Sequence, residues 1–311
     1  MAVNTAKPNT AADRDGRTSS LRRLLTDSWF PFLAPTILVF LVITIFPLVY
    51  SVTLSLHSWR LGSPQPWNFV GIGNFRQVFT IDPYFWTTAR VTAIYISVSV
   101  VAQLLIGLGV ALLLNRQFRG IGLLRTMFLL PTMMTPVVVG VTWRIMYNPD
   151  LGFINQILRY SGQGMINWLG DASVALWAVI AVEVWQWTPF IALIILAGLR
   201  SLPTDPFEAA LIDGASSWQM FVHIVLPLIR PFVMVALLVR TMDAFKAYDL
   251  VFILTEGGPG LSTEILSFYA YRTGFNFFQM GYAAALSLVL LFSSVFVCQM
   301  IMRLMRKDAS L

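Results

Sequence analysis

The sequence predicts an all-α integral membrane protein, a bundle of six transmembrane helices. Composition, the length of the apolar runs and the absence of strand-like alternation carry that prediction. Of 311 residues, 57% are hydrophobic and 12% charged, with a mean hydropathy of +0.72, whereas soluble domains are about a quarter charged. Crossing a ~30 Å hydrocarbon core takes roughly 20 apolar residues in a helix, and the chain offers six such runs. The ten-residue alternating segments of a membrane barrel are missing, so helices are the only way this backbone can satisfy itself in lipid.

Residues 1–29 form a polar, basic tail, and the apolar run that follows is too long for an ordinary cleaved signal. The first span covers 30–56 without a charge, and its prolines at 31, 35 and 47 favour bends. The second covers about 91–115 and the third about 126–147. The fourth, about 172–199, is interrupted only by Glu183, whereas the fifth, about 226–254, contains Arg240, Asp243, Lys246 and Asp249. The sixth covers 277–302 and carries no charge. The expected organisation is therefore a 1–29 tail, a membrane domain over 30–305 and a short 306–311 tail.

An even number of spans leaves both termini on one side, and the Lys and Arg distribution selects it. One set of segments holds thirteen: five in the first tail, then Arg116, Arg119, Arg125, Arg200, Arg230, Arg303, Arg306 and Lys307. The opposite loops hold Arg60, Arg76, Arg90, Arg159 and Arg272. Both termini are expected in the cytoplasm. The net charge of +6 is accounted for by this orientation, since basic residues are scattered between apolar runs and form no nucleic-acid patch.

Several chemistries lack their residues. Cys298 is the only cysteine, so no internal disulfide forms. His57 and His223 stand far apart with no H-E-x-x-H pattern for zinc. None of Lys7, Lys246 and Lys307 sits in a Gly-x-x-x-x-Gly-Lys loop, so the chain has no nucleotide-phosphate cradle.

The most informative stretch is 201–231, too polar to cross lipid yet patterned as two short helices. The first starts at Asp205 and Pro206; Gly214 reverses the chain, and Ser216 or Ser217 caps the second. From pattern alone this pair is either a rigid knob that fills a partner's groove or an amphipathic hairpin lying on lipid. EAALIDGA at 208–215 followed by IVLP at 224–227 resembles the coupling loop of ABC importer permeases. FVGIGNFRQVF at 69–79, RTMFLLPTMMTPVVVGVTW at 125–143 and DAFKAYDLVFILTEGGPG at 243–260 are similar to permeases of the carbohydrate-uptake group, including those for maltose, trehalose and glycerol phosphate.

The resemblance implies a type I ABC importer permease fold in a bacterial cytoplasmic (inner) membrane. It also implies a second permease in a heterodimer, two ATPase subunits that carry ATP and Mg, and an external or periplasmic solute-binding protein. This chain itself would hold no cofactor and hydrolyse nothing. Within 201–227 the resemblance assigns ATPase coupling to Glu208, Ala209, Ala210, Asp213 and Gly214, with Ser217, Phe221 and His223 on the following helix. The large external domain of the maltose system's corresponding subunit is absent.

Each charge at mid-bilayer costs about 2.5–3.5 kcal/mol on insertion scales, so the fifth span needs partners or water. The spacing of three permits ion pairs along one helix, while Arg240, Ala244 and Ala247 share a face. In the fourth span Glu183, Gln186, Trp187 and Phe190 recur at helical spacing, and a sugar suits such a mixture: indole for the pyranose face, polar groups for its hydroxyls. The same pattern also suits helix packing. The resemblance places Gln186, Trp187, Phe190, Arg240, Ala244, Ala247 and Thr135 or Pro136 along the substrate path, with alanines where maltose permeases have amides. Arg240 and Lys246 admit an anionic or highly hydroxylated sugar. The rival readings are an ion-coupled secondary transporter using Glu183, Asp243 and Asp249, and a membrane transferase with Glu183 or Asp243 as general base. Neither needs a cytoplasmic docking knob.

Overall fold

The computed structural model describes residues 30–308, with side chains described for 32–305. The tail expected at 1–29, and the side chains of 306–311, lie outside the described residues. The chain divides into two units, Met1–Thr53 and Leu54–Leu311.

In the first unit, α1 (Phe30–Phe40) passes through a π-helical turn at Leu41–Ile45 into α2 (Phe46–Ser55). Pro47 has no N–H for the helical ladder, and the wide turn just before it, closed by Phe46 N–H to Leu41 O, absorbs the mismatch. Phe32, Ile43 and Phe46 are all exposed. A helix apolar all round belongs in lipid or against another protein.

The second unit opens with a two-residue antiparallel ladder, β1 (His57–Ser58) with β2 (Asn68–Phe69). Helix α3 (Phe85–Asn115) is followed by α4 (Ile121–Met133), α5 (Pro136–Met146) and the short amphipathic α6 (Phe153–Tyr160). Helix α7 (Ala175–Arg200) precedes α8 (Asp205–Ile212) and α9 (Leu226–Phe245). The chain ends with α10 (Asp249–Leu254), α11 (Leu266–Tyr271) and α12 (Met280–Asp308). Five helices among the described residues are long and apolar enough to span a membrane, and a bent pair makes a sixth.

That pair corrects the third span, expected as one helix over 126–147. Helices α4 and α5 meet at 96°. Proline disfavours helical geometry in the residue before it, and Thr135, preceding Pro136, is extended at φ −67°, ψ 145°. The fifth span is also corrected: it stops at Phe245, and Lys246, Ala247 and Tyr248 form a break before α10. At its other end, the helical turn Ser217–Met220 continues through a π-helical turn, Phe221–Val225, directly into α9. The second coupling helix is therefore the tip of the fifth span and not a separate piece.

Small residues let the helices approach closely. A Cβ on Gly107 of α3 would meet Ile191 Cγ2 of α7 at 2.8 Å, and one on Gly198 of α7 would meet Phe232 of α9 at 2.5 Å. Buried apolar side chains then fill in along the bundle, from Val78, Phe85 and Leu286 through Tyr95, Val179 and Val251 to Ala111, Ile195 and Ile229.

The end of the bundle where α3 begins is tied by polar groups. Tyr269 donates to Asp82 Oδ2 at 2.6 Å, Tyr282 donates to the same oxygen, and Asn74 Nδ2 donates to Ser55 O and His57 O at 2.7 and 3.0 Å. Glu264, fully buried, pairs with Arg272 at 2.6 Å.

Two outcomes follow from this packing. Gly107→Ala lowers the thermal midpoint of the detergent-solubilised protein, whereas Gly109→Ala, whose Cβ meets nothing within 4 Å, holds or raises it through helix propensity; equal effects would contradict the close α3–α7 approach. Burial lifts the Glu264 carboxyl to about 7, against the opposing pull of Arg272. A carboxyl that binds its proton more tightly folded than unfolded stabilises the fold at low pH, and that stability is lost as pH rises from about 4.5 to 7. The midpoint therefore falls between pH 5 and 8, and Glu264→Gln flattens the slope; identical slopes would contradict this.

Candidate functional site

Two places gather the residues that the sequence singled out. The first is the helix pair around Gly214. Asp205 and Pro206 occupy the first turn of α8, where an acidic group suits the helix dipole and proline's missing N–H is harmless. Gly214 takes φ +75°, a left-handed conformation that glycine adopts at little cost, and Ala215 N–H closes on Ala210 O at 2.9 Å. Ser216 then caps the next turn: its Oγ accepts from Gln219 N–H, and Gln219 Oε1 accepts from Ser216 N–H at 2.8 Å. Of the two candidate serines, Ser216 is the cap and Ser217 the first helical residue. Glu208, Ala209 and Asp213 are exposed, and Ala210 and Phe221 half-buried. His223 is exposed, with Nδ1 3.0 Å from Gln219 O.

This capped segment shows large apolar side chains: Leu211 is 62% exposed, Ile212 87% and Trp218 71%. Exposed apolar side chains on a capped, polar hairpin suit contact with another protein or with lipid. Asp213, Gly214, Gln219, Met220 and His223 surround a depression of about 320 Å³ beside them.

The second place is a cavity of about 240 Å³, open on one side, where both helix breaks meet α7. Pro136 faces it from the α4–α5 bend, Lys246, Ala247, Tyr248 and Asp249 from the α9–α10 break, and Glu183, Gln186 and Trp187 from α7. Irregular backbone at membrane depth is tolerated where it lines a cavity or is buried in protein, and both breaks obey that rule.

Arg240 organises the cavity. The residue is 1% exposed, and its NH2 reaches Glu183 Oε1 at 2.6 Å. Its Nε donates to Gln103 Oε1 of α3 at 3.0 Å, and its Cζ lies 4.7 Å from the centre of the Trp187 ring. Asp243, one turn on, is 3.8 Å away. Gln103 closes the circuit by donating from Nε2 to the Glu183 backbone oxygen at 3.0 Å. One charge thus joins α3, α7 and α9. The sequence allowed ion pairs along the fifth span, but the dominant partner is Glu183 on a different helix.

Glu183, Gln186, Trp187, Arg240, Asp243, Lys246 and Ala247 all line the cavity. Three other expected residues do not. Thr135 precedes α5 while Pro136 takes the lining position, Phe190 packs edge-on to Trp187 at 6.4 Å, and Ala244 is buried in the core. Tyr95 and Tyr248 line the cavity and Gln103 supports it, though the sequence reading singled out none of them. Gln103 was detectable as an amide inside the otherwise apolar second span. The ion-coupled reading loses ground, since Glu183 and Asp243 both answer the same guanidinium.

Gln103→Leu removes an acceptor from a buried cation, a loss of about 1–3 kcal/mol. We expect a lower thermal midpoint and reduced transport in that variant; an unchanged midpoint would mean that Arg240 does not depend on α3.

Residues 79–307 match the family described as binding-protein-dependent transport system inner membrane component. A probable ABC transporter permease protein of Sinorhizobium fredii, y4oQ, is 42% identical over 268 residues, covering 85% of each chain. The trehalose/maltose transport system permease protein MalF of Thermococcus litoralis is 38% identical over 264 residues, covering 85% of this chain and 88% of its own. A chain of the bacterial alginate ABC transporter, crystallised with an alginate pentasaccharide-bound periplasmic protein, aligns at a TM-score of 0.80 and 21% identity over 93% of this chain and 96% of that chain, a likeness of fold. The chain belongs to the binding-protein-dependent transport family of inner membrane components, as a multi-pass permease subunit of an ABC transporter.

Proposed function

We propose that this permease is half of the translocation pathway of an ATP-driven sugar importer and moves a sugar into the cytoplasm by alternating access. Its partners are a second, similar permease, two ATPase subunits that carry ATP and Mg, and an external solute-binding protein. Both termini face the cytoplasm, in keeping with the Lys and Arg asymmetry. Residues 201–227 then project toward the ATPases.

The observation that carries the reading is the continuity between docking segment and cavity. From the cap at Ser216 one helix runs without a break through the π-helical turn into α9, past Pro227, to Arg240 beside the cavity. Helix α7 leads from Arg200, just before α8, back to Glu183. ATP-driven closure that pushes on α8 and Gly214 therefore tilts α7 and α9. The Arg240–Glu183–Gln103 network carries α3 with them as one rigid body. The sugar assignment draws on the trehalose/maltose relative and on the lining chemistry, since indole and phenol faces beside acceptors suit a pyranose.

Purification of the chain with its co-eluting partners tests this directly. We expect an ATPase in the preparation whose turnover rises with the binding protein and a sugar; a complex without ATPase, or uptake driven by an ion gradient alone, would overturn the proposal. The coupling step has its own variant. A side chain at Gly214 meets nothing within 4 Å but is strained at φ +75°, by about 1–2 kcal/mol. Gly214→Val is expected to leave ATP hydrolysis running while uptake falls about tenfold, and normal uptake would count against force entering here.

A further inference from the structure

We infer that the cavity is a charge filter: the face this chain contributes accepts hydroxyl-bearing neutral or amino sugars and rejects sugars that carry a carboxylate, sulfonate or phosphate. The inference rests on the sugar-import reading and adds the selectivity of the same site.

The cavity's buried cation is already balanced from within the protein. Arg240 pairs NH2 with Glu183 and donates Nε to Gln103, and NH1 stands 3.8 Å from Asp243, so the charge of its guanidinium is balanced by the protein's own carboxylates before any ligand arrives. The cavity's acceptors remain. Gln186, 1% exposed, donates through Nε2 to Met134 O, which fixes its orientation, while its Oε1 is buried without a partner in a residue that lines the cavity. Asp243 is about half-exposed, and Asp249 is exposed.

Three carboxylates, Glu183, Asp243 and Asp249, and two cations, Arg240 and Lys246, face this one space. The formal balance is one negative charge. Lys246 is exposed and makes no ion pair among the described residues, but an acidic residue stands three positions to either side of it. An incoming anion would meet net repulsion and unmatched acceptors. A hydroxyl or an ammonium supplies the hydrogen that those acceptors lack. The anionic ligand that the raw count of Arg240 and Lys246 admitted is thereby disfavoured, because Arg240 is neutralised from within the protein.

The sole cysteine makes a direct test practical. In a Cys298→Ser background of the assembled transporter in nanodiscs, a single cysteine at Ala247 is labelled with two methanethiosulfonates of similar size. One carries a trimethylammonium group and the other a sulfonate. Rates are normalised to the same reagents at an exposed reference cysteine, Gln65→Cys, and Pro136→Cys serves as a second lining position should Ala247→Cys fail to assemble.

We expect a normalised cation-to-anion rate ratio of about 10 or more, collapsing to 1 or below in the Asp243→Asn/Asp249→Asn variant. A ratio near or below 1 in the parent, or one unchanged by removing both carboxylates, would overturn the filter. Sugar-stimulated ATPase activity is measured on the same preparation. Its absence would sink the sugar-import reading whatever the labelling ratio, so the two failures are told apart.

Discussion

A guanidinium almost out of reach of solvent inside an apolar bundle must find negative charge, and Glu183 supplies it to Arg240 at 2.6 Å. Gln103 and the Trp187 ring complete its surroundings, so one buried cation fixes the relative positions of α3, α7 and α9. Taking either charge away alone strands the other at about 3–5 kcal/mol. Most of the neighbouring packing follows from this tie: the small residues at Gly107 and Gly198 bring the same three helices close enough for the network to close.

Two helices break beside this tie. A polar cavity needs backbone that turns aside, and the α4–α5 bend and the α9–α10 break both open onto the space beside Arg240. At the far ends of α7 and α9, the chain emerges into a hairpin held by a left-handed glycine and a reciprocal Ser216–Gln219 cap. That hairpin leaves Leu211, Ile212 and Trp218 exposed, the surface that the proposed coupling assigns to an ATPase subunit. In the proposed coupling, a push on this hairpin passes along α9.

Much of this was legible in the residues. Apolar runs long enough to span a bilayer gave the helices, because in lipid hydropathy and backbone satisfaction leave few alternatives. Gly214 and the paired serines marked the hairpin through local backbone chemistry. The α4–α5 bend was half-visible in Pro131 and Pro136, yet hydropathy runs straight through both. The stop at Phe245 left no mark, since Lys246, Ala247 and Tyr248 include neither glycine nor proline. Gln103 showed as an amide in an apolar run, but its role and that of Tyr95 arise only when α3 packs against α7, and no spacing within one helix encodes a partner on another. The Glu264–Arg272 pair stayed invisible too, as burial of a carboxylate in a connecting segment depends on the tertiary fold.

The most direct test of the account replaces the ion pair as a unit. Thermal unfolding of the solubilised assembly is compared for Glu183→Met, Arg240→Met and the double variant Glu183→Met/Arg240→Met. An internal counter-ion pair predicts that each single change is strongly destabilising while the double variant recovers close to the parent midpoint. Additive losses in the double variant, or single variants as stable as the parent, would show that Arg240 does not owe its place in the bundle to Glu183.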